Sequence, residues 1–120
     1  MDVLNKVMVV GNLTRDPEVR DTRNGKKVAK LGLAVDSGGG RDSADGAEPV
    51  FLDVILWERN AENAETYLKK GSGILLEGRL QMSRWEDKQT GQSRSKIRVV
   101  GERVRFLELA REGAAASTPG

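Results

Sequence analysis

The sequence contains no cysteine and no histidine, and its aromatic residues are two tryptophans, two phenylalanines and one tyrosine. The chain therefore lacks disulfides, thiolate nucleophiles, the usual zinc ligands and the commonest general base. Because it has no long apolar run and no basic region leading into one, we expect neither a membrane span nor a signal peptide. These absences favour a cytoplasmic protein without a metal site or a cofactor.

Charge is nearly balanced, since 20 basic and 18 acidic residues give a formal net charge of +2. The two signs are distributed unevenly along the chain. Residues 1–35 carry seven basic and four acidic residues, 36–65 carry two and eight, and 66–120 carry eleven and six. Positive patches can therefore exist on a nearly neutral molecule.

Alternation of apolar and polar residues predicts that the chain is built mainly of β-strands. The dipeptide Asn24-Gly25 is a strong hairpin signal between two of them. Side-chain parity changes along the last strand, which requires a β-bulge near Gly101-Glu102. The predicted strands span residues 5–13, 18–22, 27–35, 50–58, 74–85 and 95–109.

One helix is predicted, with Asn60 as its N-cap, Ala61, Ala64 and Leu68 on its apolar face, and Gly71 at its end. When the first hairpin is counted as one strand, this helix lies between strands 3 and 4 of five. The predicted fold is all-β with one helix, an OB-fold, which is a five-stranded Greek-key barrel. It covers residues 1–110, with a mobile loop over 36–49 and a disordered tail over 111–120.

The first strand is apolar on both faces. Val7, Val9 and Leu13 share the core face, whereas Met8 and Val10 make the opposite face apolar too. A second subunit or the chain's own helix would cover that face, and the sequence supports the two alternatives equally.

Three aromatic side chains fall opposite the core face of their strands. Phe51 and Trp57 share one strand, and Trp85 lies on the polar face of a later hairpin, close in sequence to Arg79 and Arg84. Taken alone, Trp85 is better explained as a lid on the barrel end, because most strand aromatics serve packing. Three such residues on two strands instead favour stacking against a flat, negatively charged ligand.

Several short motifs occur in a specific order between Asn5 and about Leu109. They are Asn5-Lys6-Val7, Val10-Gly11-Asn12-Leu13, Asp16-Pro17-Glu18-Val19-Arg20, Asn24-Gly25, Leu33-Ala34, Ala64 with Tyr67-Leu68-Lys69-Lys70-Gly71-Ser72, Glu77-Gly78-Arg79-Leu80 and Arg84-Trp85. In order and spacing this set resembles bacterial single-stranded DNA-binding proteins. The resemblance implies an OB-fold, usually a homotetramer with a dimer as the alternative. It also implies a protein of the nucleoid that coats single-stranded DNA during replication, recombination and repair.

The resemblance also implies which residues contact DNA. Its stacking aromatics fall on Phe51, Trp57 and Trp85. Its basic positions fall on Lys6, Arg59, Lys70 and Arg84, with Arg20 nearby. Arg79, close to Trp85, is added to these predicted contacts. Stacking and phosphate contacts of this kind bind DNA without reading its sequence.

The sequence departs from the family pattern at several positions. A glycine, Gly39 or Gly40, stands where the family has a stacking tryptophan, while Asp53, Gln81 and Ser83 stand where it often has basic residues. These losses predict a smaller or weaker DNA footprint than that of a typical member. The family's acidic tail is also missing from the sequence, through either truncation or divergence, so recruitment of partners through that tail is not assumed.

Two other classes of function are compatible with parts of the sequence. In an OB-fold adaptor of a primosome-like assembly, the exposed aromatics would contact protein, and the acidic middle of the chain with Asp53 supports this alternative. A nuclease would need clustered carboxylates, but Glu58 points away from Asp53 and Glu48 lies in a loop. We therefore expect a binding protein that is not an enzyme.

Overall fold

The structure is a computed structural model that describes residues 3–36 and 48–107. Most of the predicted 36–49 loop, with Gly39 and Gly40, and the predicted 111–120 tail lie outside the described residues. Six strands and one helix are seen: β1 (Val7–Leu13), β2 (Glu18–Asp21), β3 (Lys27–Val35), β4 (Val50–Trp57), α1 (Arg59–Tyr67), β5 (Gly73–Glu86) and β6 (Ser93–Leu107).

All six strands form one sheet in the order β1-β5-β6-β4-β3-β2, and a further pairing of β1 with β3 closes the sheet into a ring. The neighbours are antiparallel except β4 and β6, which are parallel where Val54 pairs with Val99. The short strand β2 pairs only with β3, so five strands make the barrel and the helix lies between the third and fourth of them. The predicted OB-fold is confirmed.

The core lies inside this ring and is made of one face of each strand. Leu31, Leu33, Leu56, Ile74 and Leu76 are fully buried there. Helix α1 closes one end of the barrel, because its Ala61 and Ala64, with Leu68 directly after it, belong to the same cluster. The period-two alternation of the strands is therefore the pattern that decides which side chains remain outside.

Helix α1 begins and ends earlier than its sequence predicts. It starts at Arg59 with Glu58 at the N-cap position, and Asn60 makes no cap but donates from Nδ2 to the carbonyl oxygen of Glu102 at 3.4 Å. Pairing of β4 extends to Trp57, and the Glu58 N–H donates to the Lys27 carbonyl oxygen at 2.7 Å, so the chain must turn at Glu58. The predicted cap at Asn60 is wrong for this reason.

The predicted helix end at Gly71 is also wrong. Leu68 is already extended. The Lys70 N–H donates to Asp16 Oδ1 at 2.8 Å, and the Lys69 N–H donates to Ser72 Oγ at 3.0 Å. These side-chain acceptors hold the residues after Tyr67 in a turn, which competes with further helix.

The predicted β-bulge is confirmed. Glu77 pairs with Arg103 and Gly78 pairs with Gly101, so Glu102 is the extra residue. The bulge reverses the parity of β6 and turns Val104 towards the core.

Beyond the bulge, β5 and β6 leave the barrel as a two-stranded hairpin, here called the arm, over residues 79–98. Leu80 and Met82 continue the core face of β5 but are both 47% exposed, because the arm has no barrel behind it. Asn5 fixes the arm's root: its Nδ2 donates to the Leu80 carbonyl oxygen at 2.9 Å, and its Oδ1 accepts from the Leu80 N–H at 2.8 Å.

Candidate nucleic-acid interface

The outer face of the sheet carries most of the residues that the sequence singles out. Strand register places Arg20, Val28 and Trp57 side by side across β2, β3 and β4. The next row contains Lys30 and Ile55, and Ile55 pairs further with Val100. Side chains in one row share a face of the sheet, so Arg20 and Trp57 lie on the same surface.

The three predicted aromatics are exposed, as their strand parity predicts: Phe51 by 68%, Trp57 by 38% and Trp85 by 46%. Phe51 and Trp57 are at opposite ends of β4, about 20 Å apart at roughly 3.3 Å per residue. Between them, Ile55 packs with Val28 and Val100 in a small buried cluster on the outer face. The exposed rings and this small cluster therefore share the outer face of β4.

A groove with a volume of about 660 Å³ separates the arm from the barrel wall. Trp85 and Ser83 line it from the arm, and Leu31, Val54 and Ile55 line it from the barrel. Its charged residues are Arg15, Lys30, Lys96, Arg98 and Asp53. Four cations and one carboxylate thus surround an exposed indole, so this concave surface carries an excess of positive charge.

The groove cations are held by specific contacts. Arg98 Nε donates to Gln81 Oε1 at 2.8 Å, and Lys96 is ion-paired with Asp53. A Cβ placed on Gly32 would lie 2.5 Å from Arg15 Nη1, which shows that the Arg15 side chain crosses β3 where a side chain is missing. A side chain at position 32 would displace the flexible end of Arg15 and the Thr14 hydroxyl, whose oxygen lies 2.5 Å from the same Cβ position.

Sequence reasoning missed these four cations as site residues. Lys30 is on the outer face by parity, and Lys96 and Arg98 alternate with Ile97 on β6, so a period-two count on that strand could have found them. Arg15 gives no such signal, because it follows β1 and reaches the groove only through the fold.

The predicted basic residues are not gathered in the groove. Lys6 pairs with Glu77 at 3.7 Å, and Arg79 donates to Glu102 at 2.7 Å. Arg84 and Trp85 are consecutive on β5 and so point to opposite faces of the arm.

Helix α1 separates the other two predicted basic positions. Arg59 is its first residue, and Lys70 follows its C-terminal end; both are exposed and neither lines the groove. Of the predicted cations, Arg20 is thus the one that register places beside a predicted aromatic.

The outer face of β1 is a separate surface. Met8 and Val10 are 58% and 51% exposed, and they pair with Glu77 and Leu75 of β5. Helix α1 packs against β2, β3, β4 and β6. The alternative that the chain's own helix covers Met8 and Val10 is therefore wrong, and coverage by a second subunit stays a prediction.

Glu58 adopts a backbone conformation that favours glycine, with φ 55° and ψ −118°, directly after Trp57. We expect Glu58→Gly to raise the free energy of unfolding by about 1 kcal/mol, because strain of this kind costs roughly 1–3 kcal/mol. The exposed Lys26–Glu58 pair, 3.9 Å apart, contributes little. Urea denaturation measures the change. Glu62→Gly, inside the helix, is the control and should lower stability; a comparable loss in Glu58→Gly would contradict the strain.

Lys27 ties β3 to the helix, since its Nζ lies 3.0 Å from Glu65 Oε1. This hydrogen bond, with the attraction of the same carboxylate, raises the pKa of Lys27. Lys27 and Glu65 do not line the groove.

Two kinds of feature are absent from the described residues. No helix there is long and apolar enough to cross a membrane. In the same part of the chain, no group of three or more acidic side chains is placed to hold a metal ion.

Comparison with known proteins is consistent with this geometry. The profile of the Single-strand binding protein family matches residues 4–107. The chain is 49% identical over 105 residues to the Single-stranded DNA-binding protein of Wolinella succinogenes, an alignment that covers 87% of this chain and 64% of the relative. It is 43% identical over 110 residues to that of Helicobacter hepaticus, with 91% and 64% covered.

A third relative, Single-stranded DNA-binding protein A of Bacillus subtilis, is 42% identical over 115 residues, with 96% of this chain and 66% of the relative covered. The chain spans just under two thirds of the length of these relatives. With a match over nearly its whole length, the chain belongs to the Single-strand binding protein family.

Proposed function

We propose that the protein binds and coats single-stranded DNA through the outer face of its barrel. The observation that carries this proposal is the groove, where Trp85 stands beside Arg15, Lys30, Lys96 and Arg98. A strand laid in the groove can stack bases on the indole while its phosphates meet the cations.

The same geometry explains why no sequence preference is expected. Every base has a face that can stack, worth roughly 1–3 kcal/mol per base, and cations track phosphates without reading bases. Phe51 and Trp57 extend the stacking surface to both ends of β4, and Arg20 adds a cation beside Trp57. Lys6, Arg59, Lys70, Arg79 and Arg84 remain proposed phosphate contacts outside the groove, and Lys6 and Arg79 would have to exchange their carboxylate partners for phosphates.

Binding of this kind holds strands unpaired and protects them, without turnover. We place this activity at the nucleoid in the cytoplasm, during replication, recombination and repair. The proposal covers the barrel domain alone and assigns it no cofactor.

The direct test is a titration of the purified protein with poly-dT while its tryptophan fluorescence is followed. Stacked indoles should be quenched to a plateau, because a base against the ring shortens the excited-state lifetime. Fluorescence that stays unchanged at saturating DNA would overturn the proposal.

We infer that the Met8 and Val10 surface joins copies of the chain, as a homotetramer with a dimer as the alternative. Val10→Asp is expected to lower the mass in solution, because a carboxylate buried in an apolar contact is strongly unfavourable. Light scattering after size exclusion measures the mass. Ile97→Asp is the matched control, since Ile97 is 57% exposed but lies on the arm. An unchanged mass in Val10→Asp would exclude this interface.

A smaller footprint than that of a typical family member is also proposed. Asp53, Gln81 and Ser83 lie at or near the groove and add no positive charge. We expect the slope of log Kd against log salt concentration to be smaller than that of a typical relative. The difference should be about one for each lost cation. Titration of oligonucleotides at several salt concentrations measures this slope; a slope equal to that of the Bacillus subtilis protein would contradict it.

A further inference from the structure

One carboxylate lies among the groove cations. Asp53 is on the outer face of β4, and its Oδ2 is ion-paired with Lys96 Nζ from β6. The side chains are 40% and 59% exposed, so the pair is open to solvent and to a ligand in the groove.

A second cation approaches Asp53 from the other side. Gly32 pairs with Asp53 in the β3–β4 register, and the Arg15 guanidinium crosses the sheet at Gly32. Among the residues that the structure describes, Arg15 and Lys30 form no ion pair. Asp53 is therefore the carboxylate placed at the centre of an otherwise cationic surface.

We propose that Asp53 is a built-in counter-ion of the groove, which a DNA phosphate replaces at Lys96 when a strand binds. This inference rests on the proposed function and identifies the residue that regulates it. In the free protein Asp53 neutralises Lys96 and prevents repulsion with Arg15. In the complex the phosphate pairs with the Lys96 ammonium. The Asp53 carboxylate then lies beside the DNA strand, whose phosphates carry the same sign of charge.

The exchange has a measurable consequence for affinity. Lys96 and Asp53 together present no net charge to the strand, so they contribute little to phosphate attraction as a pair. Removing the carboxylate alone leaves a full positive charge in the groove. We expect Asp53→Asn to tighten binding of a thymidine oligonucleotide by about fivefold to tenfold in low salt.

Salt dependence should change in the same direction. A lysine freed from its internal counter-ion neutralises one more phosphate, and each such contact adds about one to the magnitude of the salt slope. Lys96→Gln should weaken binding and flatten the slope. The double variant Asp53→Asn with Lys96→Gln should have nearly the affinity and salt slope of the unaltered protein. In that variant an uncharged pair replaces an ion pair whose net charge is zero.

The experiment measures Kd for the same oligonucleotide by fluorescence anisotropy at four salt concentrations, for the unaltered protein and the three variants. Glu65→Gln is the matched control, because it removes one carboxylate from a lysine pair that lies outside the groove. A steeper slope in Asp53→Asn, absent in Glu65→Gln and reversed in the double variant, supports the counter-ion.

If Asp53→Asn and Glu65→Gln behave alike, the inference is overturned while the proposed function stands. A double variant that keeps the steeper slope would also overturn it, since the freed charge would then not be that of Lys96. If the unaltered protein fails to bind the oligonucleotide, the proposed function itself fails and the counter-ion role falls with it.

Discussion

Trp85→Ala is expected to weaken binding of a thymidine oligonucleotide by about tenfold to a hundredfold. Trp85 is 46% exposed, lines the groove and has groove cations beside it. A stacked base is worth roughly 1–3 kcal/mol, and each 1.4 kcal/mol is a factor of ten in Kd. The expected loss is therefore larger than that for any single exposed cation, whose contribution is screened by salt.

Met82→Ala is the control for this measurement. Met82 lies on the same arm, is 47% exposed and faces away from the groove. Its truncation therefore removes a large side chain from the arm without removing a ring that could stack on a base. Equal affinities for the two variants would rule out Trp85 as a stacking residue.

The same measurement separates DNA binding from the adaptor alternative. An adaptor that uses its aromatics to contact a protein would keep its oligonucleotide affinity when both Trp57 and Trp85 become alanine. A DNA-coating protein should lose most of that affinity.

Gly78→Ala is expected to lower the free energy of unfolding by more than about 3 kcal/mol. A Cβ on Gly78 would lie 2.1 Å from the carbonyl oxygen of Val100 and 3.0 Å from its carbonyl carbon. Both are backbone atoms of the paired strand at the bulge, so no side-chain rotation can relieve the overlap. The two strands must move apart, which breaks core packing next to Leu76.

Chemical denaturation of Gly78→Ala and Gly25→Ala tests this expectation. Nothing lies within 4 Å of a Cβ on Gly25, so its substitution costs only the strain of a φ of 80°, about 1 kcal/mol. Similar stabilities for the two variants would mean that β5 and β6 tolerate a wider spacing at the bulge.

The barrel itself was predictable because period-two alternation reports local burial directly. The positions of the six strands, to within two residues at their described ends, the two faces of β1 and the bulge at Glu102 follow from that alternation. The outward direction of Phe51, Trp57 and Trp85 follows from the same rule. A shift of the strand register by one residue would have turned these side chains into the core and the core side chains to the surface.

The helix limits were not predictable in this way. Asn60 is a good N-cap by residue type, but the pairing of Trp57 with Val28 fixes where the strand stops. The acceptors that end the helix early, Asp16 and Ser72, include one from 54 residues earlier in the chain. Tertiary hydrogen bonds therefore fix the two ends of the helix, which local helix propensity does not determine.

The site was predicted in part. The aromatics lie on the expected face, but the groove cations come from β3, β6 and the segment after β1, which meet only once the barrel closes. The predicted contacts include Lys6 and Arg79, whose charges are already paired with Glu77 and Glu102. Which cations are available to a ligand depends on such ion pairs, and a linear sequence does not show them.

Closure of the ring also has a consequence for how the molecule folds. Strand β1 is made first, yet its partners are β3 and β5, and Val7 pairs with Gly78. Most of the domain must therefore be synthesised before the first strand can be fully paired, and the parallel contact of β4 with β6 comes later still. Contacts so distant in sequence cost much loop entropy before they stabilise anything, so the barrel should form slowly and in one cooperative step.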